Sequence, residues 1–286
     1  MDRILQSHRW CVYFSKLKGT LVAILKKKTN SALSIFRIYR IGIIVLLALT
    51  AAEPGRAQTK TDSLPESYLY FPYPMQAKKW QSSLGLTFTI WPEDIAEETW
   101  IHVPAVRFHF VRKLFKGFSL NGQINTQILQ NMISLGPRWA YPISNKFSFS
   151  LGDDIAWWFG VLNIEGFNTK ANGWTNYPNL SIGYRMKRHL LLTWKMEAII
   201  DLTYNSTVGG LNVSKSQHTY SGWSTSLILE QPFYKKTNVI LGFRAIYSNF
   251  YWQTWSLFET FDREIFYPQF IVEFILWNGS MGSYGC

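Results

Sequence analysis

The feature of this sequence that most restricts its fold is a two-residue alternation that persists over long runs. In residues 189–204 the even positions, from Leu190 to Tyr204, are all apolar or aromatic, whereas the odd positions include Lys195 and Glu197. Residues 118–130 likewise place Phe, Leu and Ile opposite Ser, Asn and Gln. Successive side chains of a β-strand point to opposite faces, so the pattern predicts strands with one apolar and one polar face.

The same alternation recurs along most of the chain after residue 79. Strands in soluble proteins are usually about 5–6 residues long, whereas a tilted strand needs about 9–11 residues to cross a bilayer. Most of the predicted strands reach the longer length, which favours a membrane barrel. They number about ten, with eight to twelve as the range: 80–91, 100–111, 117–128, 132–141, 147–158, 177–186, 189–204, 218–230, 238–250 and 264–277.

The predicted connections alternate in length, which indicates the topology. Those on one side are short, and on the other side all but the link at 129–131 are long and mostly rich in Gly, Asn, Ser and Thr. An even strand count with short turns at one rim and long loops at the other is typical of a closed antiparallel up-and-down transmembrane β-barrel. The predicted long loops are 92–99, 159–176, 205–217 and 251–263. Aromatic residues at that end of the strands, including Tyr177 and Tyr204, are predicted to lie at the lipid–water boundary.

Over about residues 80–277 the chain resembles, as a class, the small outer-membrane β-barrel proteins of Gram-negative bacteria. The resemblance implies an outer-membrane location, contact with outer-membrane lipids and insertion by the barrel-assembly machinery. A secreted soluble β-sandwich is the alternative. Its exposed faces would normally be rich in Lys and Glu, whereas the polar face of 118–130 consists of Asn, Gln and Ser.

The first 57 residues have the composition of a leader. Residues 41–52 form an apolar run between a basic flank and a small-residue stretch, which predicts a signal peptide cleaved after Ala57. These 57 residues carry +8 of the formal net charge of +11, so nucleic acid is not an expected partner. Residues 58–79 are a predicted periplasmic segment, either a tether or a partial plug, and 278–286 form a C-terminal tail.

Charged residues on the polar faces of the strands are predicted to point into the lumen. They comprise five basic and five acidic side chains, a balance that favours an internal ion-pair network over an ion-selective pore. We therefore expect a largely closed, monomeric barrel without a cofactor, in a structural or surface-binding role. The alternatives are a narrow channel or a lipid-modifying or proteolytic barrel enzyme, although no enzyme signature is present. The ten residues are Arg107, Arg138, Asp154, Arg185, Lys195, Glu197, Asp201, Glu230, Arg244 and Glu273.

The first long loop is acidic. It contains Glu93, Asp94, Glu97 and Glu98, whose carboxylate oxygens suit a divalent cation that could bridge to lipid phosphates. The alternative is solvated loop charge without a bound ion.

Two positions conflict with a regular barrel. The apolar alternation changes phase at Pro104, which predicts a β-bulge. Asp153 falls on the lipid-facing side of its strand, next to the inward Asp154, so a local irregularity is expected there.

Overall fold

The computed structural model describes residues 67–74, 80–96, 101–164, 167–187, 189–208, 211–215, 219–234, 237–255 and 263–276. The predicted leader and C-terminal tail lie outside the described residues. In the described part of the chain, no helix has the length and apolar character needed to span a bilayer.

The described chain is almost entirely β-structure. Its helical elements are one turn at Glu93–Ala96 and a 3-10 turn at Trp252–Thr254. The strands are β1 (Trp80–Trp91), β2 (Ile101–Phe115), β3 (Phe118–Thr126), β4 (Gln130–Pro142), β5 (Phe147–Ile164), β6 (Phe167–Lys187), β7 (Leu190–Val208), β8 (Leu211–Lys215), β9 (Thr219–Tyr234), β10 (Thr237–Ser248) and β11 (Ile265–Leu276).

Ten of these strands close into one antiparallel ring. Each pairs with its neighbour along the chain, and β11 returns to β1, with Phe274 opposite Leu84. The short strand β8 lies outside the ring, because it pairs with residues 204–208 of β7 and β9 pairs with β7 below them. The predicted closed, up-and-down barrel of about ten strands is confirmed, and the alternative of two stacked sheets is excluded.

The outer face of the ring is apolar over the middle of the strands. Leu84 on β1, together with Leu151 and Ile155 on β5, keeps 46 to 47% of its surface exposed. A closed ring leaves no unpaired strand edge, and an exposed apolar band around it matches the hydrocarbon layer of a membrane. The fold is therefore that of a transmembrane β-barrel.

The two rims differ in their connections. We call the rim with the turns after β2, β4, β6 and β9 the short-turn rim, and the opposite one the long-loop rim. At the short-turn rim β2 and β3 are joined by Lys116 and Gly117, and Gly117 has a φ of 79°, a conformation that glycine adopts without strain.

Two predicted long loops are wrong. Residues 159–164 and 167–176 continue β5 and β6, which pair up to Ile164 opposite Phe167. Likewise, residues 205–208 continue β7 and residues 211–215 form β8. These segments lie beyond the apolar band, where polar side chains can face solvent on the outer surface, so their composition resembles that of loops although their backbones pair.

The predicted bulge at Pro104 is also wrong. The β1–β2 ladder runs without a shift through Pro104, which lies opposite Phe88. Ala105 points inward and is buried. The apolar residues change phase because Val103 and Ala105 face an apolar part of the lumen near the long-loop rim, whereas Val106 and Phe108 face outward.

The predicted position of Tyr177 and Tyr204 at the lipid–water boundary is wrong for a related reason. Tyr177 lies on the inward face of β6 and is buried in an interior aromatic cluster. On β7, Asp201 pairs with Thr175 and Thr203 with Trp174, so Leu202 is an extra residue. This bulge reverses the alternation and turns Tyr204 inward.

Candidate functional site in the barrel lumen

A peptide segment that precedes the barrel occupies the lumen near the short-turn rim. We call residues 67–74 the plug. Tyr68, Leu69, Tyr70 and Phe71 are all at most 5% exposed. The plug contacts two strands that are separated only by β11: the backbone N–H of Tyr68 donates to Gln81 on β1, and Asn238 on β10 donates to the carbonyl of Ser67. The described part of the predicted segment 58–79 thus lies inside the lumen.

One carboxylate of the wall binds three successive backbone amides of the plug. The oxygens of Glu230 accept hydrogen bonds from the N–H groups of Leu69 at 2.7 Å, Tyr70 at 3.3 Å and Phe71 at 2.7 Å. Arg138 donates to the carbonyl of Leu69 at 2.8 Å. Hydrogen bonds to charged groups are the stronger kind, so the plug is fixed through its backbone by Glu230 and Arg138.

The wall also provides space for the plug. Gly183 on β6 faces it, and a Cβ atom there would lie 2.5 Å from Cδ of Pro72 and 2.6 Å from the Phe71 ring. On the other side, the ring of Tyr70 packs against that of His109, with centroids 4.5 Å apart. The plug therefore fits the lumen through both hydrogen bonds and shape.

Above the plug, Glu273 is the centre of one buried polar cluster. Its Oε1 lies 3.2 Å from Nε of Arg107 and accepts a hydrogen bond from the Tyr70 hydroxyl at 2.8 Å. Burial raises the pKa of the Tyr70 phenol, so the hydroxyl stays protonated and donates. Ser83 donates to the other carboxylate oxygen. The plug is thus tied to this cluster as well as to Glu230.

A second cluster lies across the lumen on β5, β7 and β10. Lys195 lies 2.7 Å from a carboxylate oxygen of Glu197 and 3.6 Å from one of Asp154. Arg244 pairs with the other oxygen of Glu197. Asn121 donates to Asp154 and also contacts His109, which joins the two clusters. Each charge in this cluster therefore has a partner of opposite sign.

Eight of the ten predicted lumen charges lie at the plug or in these clusters, four of each sign. The other two lie apart. Asp201 accepts hydrogen bonds from Thr175 and Ser221 nearer the long-loop rim. Arg185 lies near the short-turn rim, opposite Leu191. The eight are Arg107, Arg138, Asp154, Lys195, Glu197, Glu230, Arg244 and Glu273.

The sequence-based set omits several uncharged members of these clusters. His109, Asn121 and Gln123 all lie on inward positions, and the alternation would have placed them there had neutral polar residues been included. Tyr70 could not be found this way, because the plug has no periodic pattern.

A second insert fills the lumen near the long-loop rim. We call residues 250–255, which follow β10, the cap, and all of them are at most 6% exposed. The Phe250 ring packs against Trp158 and Tyr204, with centroids 5.4 and 5.7 Å away. Gly160 provides the space for Trp255, because a Cβ there would lie 2.2 Å from the indole ring. The cap is held mainly by aromatic packing.

A small polar cavity remains in the lumen. Its volume suffices for about one water molecule. Tyr70 of the plug contributes to its wall, and so the cavity is not open to the short-turn rim past this residue. The lining consists of Tyr70, Asn121, Gln123, Arg138, Asp154, Asn179, Ser181 and Lys195.

The predicted cation site in the first long loop is only partly described. Glu93 begins the helical turn at Glu93–Ala96 and is half-buried. The side chain of Asp94 and residues Glu97 and Glu98 lie outside the described part, so the site stays a prediction. Within that part, no three His, Cys, Asp or Glu side chains converge as metal ligands.

No family model and no curated protein matches this sequence. Several solved structures share the barrel architecture. The attachment invasion locus protein Ail of Yersinia pestis is 9% identical, with a TM-score of 0.36 over 68% of this chain and 95% of its own. The KdgM porin, solved in complex with disordered oligogalacturonate, is 10% identical, with a TM-score of 0.35 over 70% of this chain and 99% of its own.

The translocator domain of the autotransporter NalP from Neisseria meningitidis is 8% identical, with a TM-score of 0.38 over 68% of this chain and 87% of its own. These likenesses concern the architecture and carry no functional argument. The closed ring and its apolar outer face themselves confirm the predicted resemblance to outer-membrane barrels as a class, and no narrower family is identified.

Proposed function

We propose that this chain is a bacterial outer-membrane β-barrel protein whose lumen is closed by its own segments, and that its role is structural or surface-binding. The observation that carries the proposal is the filling of both mouths of the ring, by the plug at the short-turn rim and by the cap at the long-loop rim. The apolar outer band supports the membrane location.

The charges between the two inserts support a non-conducting lumen. A selective pore exposes groups of one sign to a water-filled path. Here Lys195, Glu197 and Arg244 are paired with one another, and the remaining cavity has room for about one water. Ions would have to break these pairs in order to pass.

Conductance of the refolded chain in planar bilayers tests this proposal. We expect no stepwise current in the wild type. Heat-modifiable migration on a gel must show in parallel that the sample is a folded barrel, because a chain that failed to refold would also give no current. Stepwise currents from the folded wild type would overturn the closed-lumen proposal, and a chain that stays soluble without detergent would overturn the membrane location.

A surface role would reside in the strands that continue past the apolar band. Trp157 and Trp174 pair near the edge of the apolar band that faces the long-loop rim. Beyond them, β5 and β6 extend with exposed polar residues such as Lys170. If this rim faces outward, a membrane-impermeant maleimide should label Lys170→Cys on intact cells in a Cys286→Ser background. The matched variant Lys146→Cys, at the short-turn rim, should react only after permeabilisation. The reverse result would show that the short-turn rim faces outward.

A narrow channel is the second candidate, and one observation favours it. The plug is a separate segment bound by hydrogen bonds to Glu230 and Arg138 and is not part of the wall. A conducting state requires both inserts to leave the lumen. Currents in a double variant, Glu230→Ala with Trp255→Ala, that are absent from each single variant would support this candidate.

A further inference from the structure

A single carboxyl group interrupts the apolar outer face of β5. Asp153 is exposed between Leu151 and Ile155, which are 47% and 46% exposed, and the other outward residues from Phe147 to Phe159 are apolar or aromatic. On β5 the expected irregularity affects only the ladder with β4, which omits Gly136 and Pro137 and resumes in the same register, while the ladder with β6 is continuous. The side chain of Asp153 therefore stays on the outer face.

This position is costly if lipid surrounds it. Asp153 makes no hydrogen bond or ion pair with any residue that the structure describes. It lies midway between the aromatic residues Phe149 and Trp157, so headgroups and bulk water are distant. Ionisable groups at such depths require a polar partner and mark functional surfaces.

A second unsatisfied polar group lies beside it. Asn176 on β6 also points outward, opposite Ile155 and two residues along from Pro178, which is opposite Asp153. The side-chain oxygen of Asn176 is buried and has no hydrogen-bond partner among the described residues. Because this oxygen has no accessible surface, only the amide N–H groups of Asn176 can reach a second molecule, and a carboxyl oxygen accepts a hydrogen bond from such an N–H.

The outward side chains around these two groups are short. Pro137 and Pro178 flank Asp153 on the adjacent strands, and Ala198 follows on β7. The β6–β7 ladder omits Tyr177 and Pro178, as the β4–β5 ladder omits Gly136 and Pro137. Small side chains allow two membrane-embedded surfaces to approach closely, and polar groups between them then hydrogen-bond.

We propose that the patch formed by Pro137, Asp153, Asn176, Pro178 and Ala198 is an interface with a second copy of this chain. A two-fold axis along the membrane normal brings the patch against itself, so Asp153 of each copy accepts a hydrogen bond from the amide N–H of Asn176 of the other. The inference rests on the proposed function only in that hydrocarbon must surround the barrel. It replaces the sequence-based expectation of a monomer.

The second copy fits better than other occupants. A lipid headgroup does not reach this depth. Two facing carboxylates alone would repel each other, but the neighbouring amide makes the patch complementary to itself. A different membrane protein that presents a donor at the same depth would satisfy Asp153 but would leave the self-complementarity unexplained, and it is one outcome of the test below.

The oligomeric state of the full chain in density-matched detergent micelles tests the proposal by sedimentation equilibrium. We expect a dimer for the wild type. Asp153→Leu and Asn176→Leu should each raise its dissociation constant on the order of tenfold. Asp153→Asn, which retains a donor and an acceptor, should keep the dimer, and the control Leu86→Ala on the distant strand β1 should leave it unchanged.

Cross-linking locates the contact. In a Cys11→Ser, Cys286→Ser background, Ile155→Cys should form an intermolecular disulfide on oxidation in lipid vesicles, and Leu86→Cys should not. A wild type that sediments as one folded chain at all concentrations overturns the proposal and leaves another membrane protein as the occupant. A dimer that Asp153→Leu does not weaken, or that cross-links equally at both positions, also overturns it. Neither result affects the conductance test of the closed lumen.

Discussion

The plug and the cap close the same barrel by different physical means. The plug is bound through its backbone by charged groups, chiefly Glu230 and Arg138. The cap is bound through its side chains, in the aromatic cluster that includes Trp158 and Phe250. In the charged part of the lumen the inserted peptide is held by pairing its amides and carbonyls, whereas in the apolar part it is held by ring packing.

The charge clusters beneath the cap and above the plug provide the most severe test of this comparison. Lys195→Glu would replace the cation that pairs with Glu197 and Asp154 by a third carboxylate. Breaking a buried pair usually costs about 3–5 kcal/mol, and we expect a loss at the upper end in the free energy of unfolding, measured by urea titration in lipid vesicles. The matched variant Lys195→Met, which adds no charge, should lose less.

The same variant distinguishes a closed from an open lumen. If the lumen were a water-filled path, Lys195→Glu would change ion selectivity in planar bilayers and leave the free energy of unfolding near its wild-type value. That result would contradict the proposal that the two inserts close the lumen.

The next largest effect should separate the plug from the cap. Glu230→Gln keeps the shape of the side chain but removes the charge that accepts three N–H groups and faces Arg138. Hydrogen bonds to a charged group contribute about 1.5–3 kcal/mol, so we expect a loss of about 3 kcal/mol in the free energy of unfolding. Proteolysis near residue 74 should also accelerate, because the plug leaves the lumen more often.

The exposed Glu264→Gln, near the long-loop rim, is the control and should change the free energy of unfolding by no more than about 0.5 kcal/mol. Equal proteolysis of wild type and Glu230→Gln would show that the carboxylate does not hold the plug.

The strand pattern could predict the barrel because each face of a strand meets a single environment, lipid on the outside and polar groups in the lumen. Along β7 the alternation puts Lys195 and Glu197 on the inner face and Trp194 and Met196 on the outer face, and the structure places all four so. The rule requires lipid outside and polar groups inside. It fails near the long-loop rim, where the cap makes the lumen apolar and Tyr204 turns inward at the bulge.

Periodicity could not predict where the plug lies. Residues 67–74 follow no two-residue or helical repeat, and their backbone groups are bound by side chains of distant strands, such as Arg138 and Glu230. Only long-range pairing determines where they lie. The extension of β5 and β6 beyond the predicted strands 147–158 and 177–186 could not be predicted for a different reason, since its exposed polar side chains resemble those of a loop while its backbone continues the ladder.

Two glycines make the comparison sharper, because each provides space for one insert. Gly160→Val would place a methine carbon against Trp255, and Gly183→Val would do so against Phe71 and Pro72. Overpacking costs about 1–3 kcal/mol in the free energy of unfolding. In a double-mutant cycle, Trp255→Ala should offset part of the Gly160→Val loss but none of the Gly183→Val loss. If Trp255→Ala offset the losses of both glycine variants to the same extent, the two inserts would not be independent.

The smallest expected effect compares two tyrosines within the plug. The Tyr70 hydroxyl donates to the buried carboxylate of Glu273 at 2.8 Å, whereas the Tyr68 hydroxyl donates to the neutral carbonyl of Pro74 at 3.0 Å. Bonds to charged acceptors contribute about 1.5–3 kcal/mol and neutral ones about 0.5–1.5 kcal/mol, so Tyr70→Phe should lower the free energy of unfolding more than Tyr68→Phe. Both variants keep the ring and its packing, so the difference between them isolates the acceptor. Equal losses would mean that the charge of Glu273 adds nothing to the hydrogen bond from Tyr70, and that only the backbone contacts to Glu230 and Arg138 distinguish the plug from the cap.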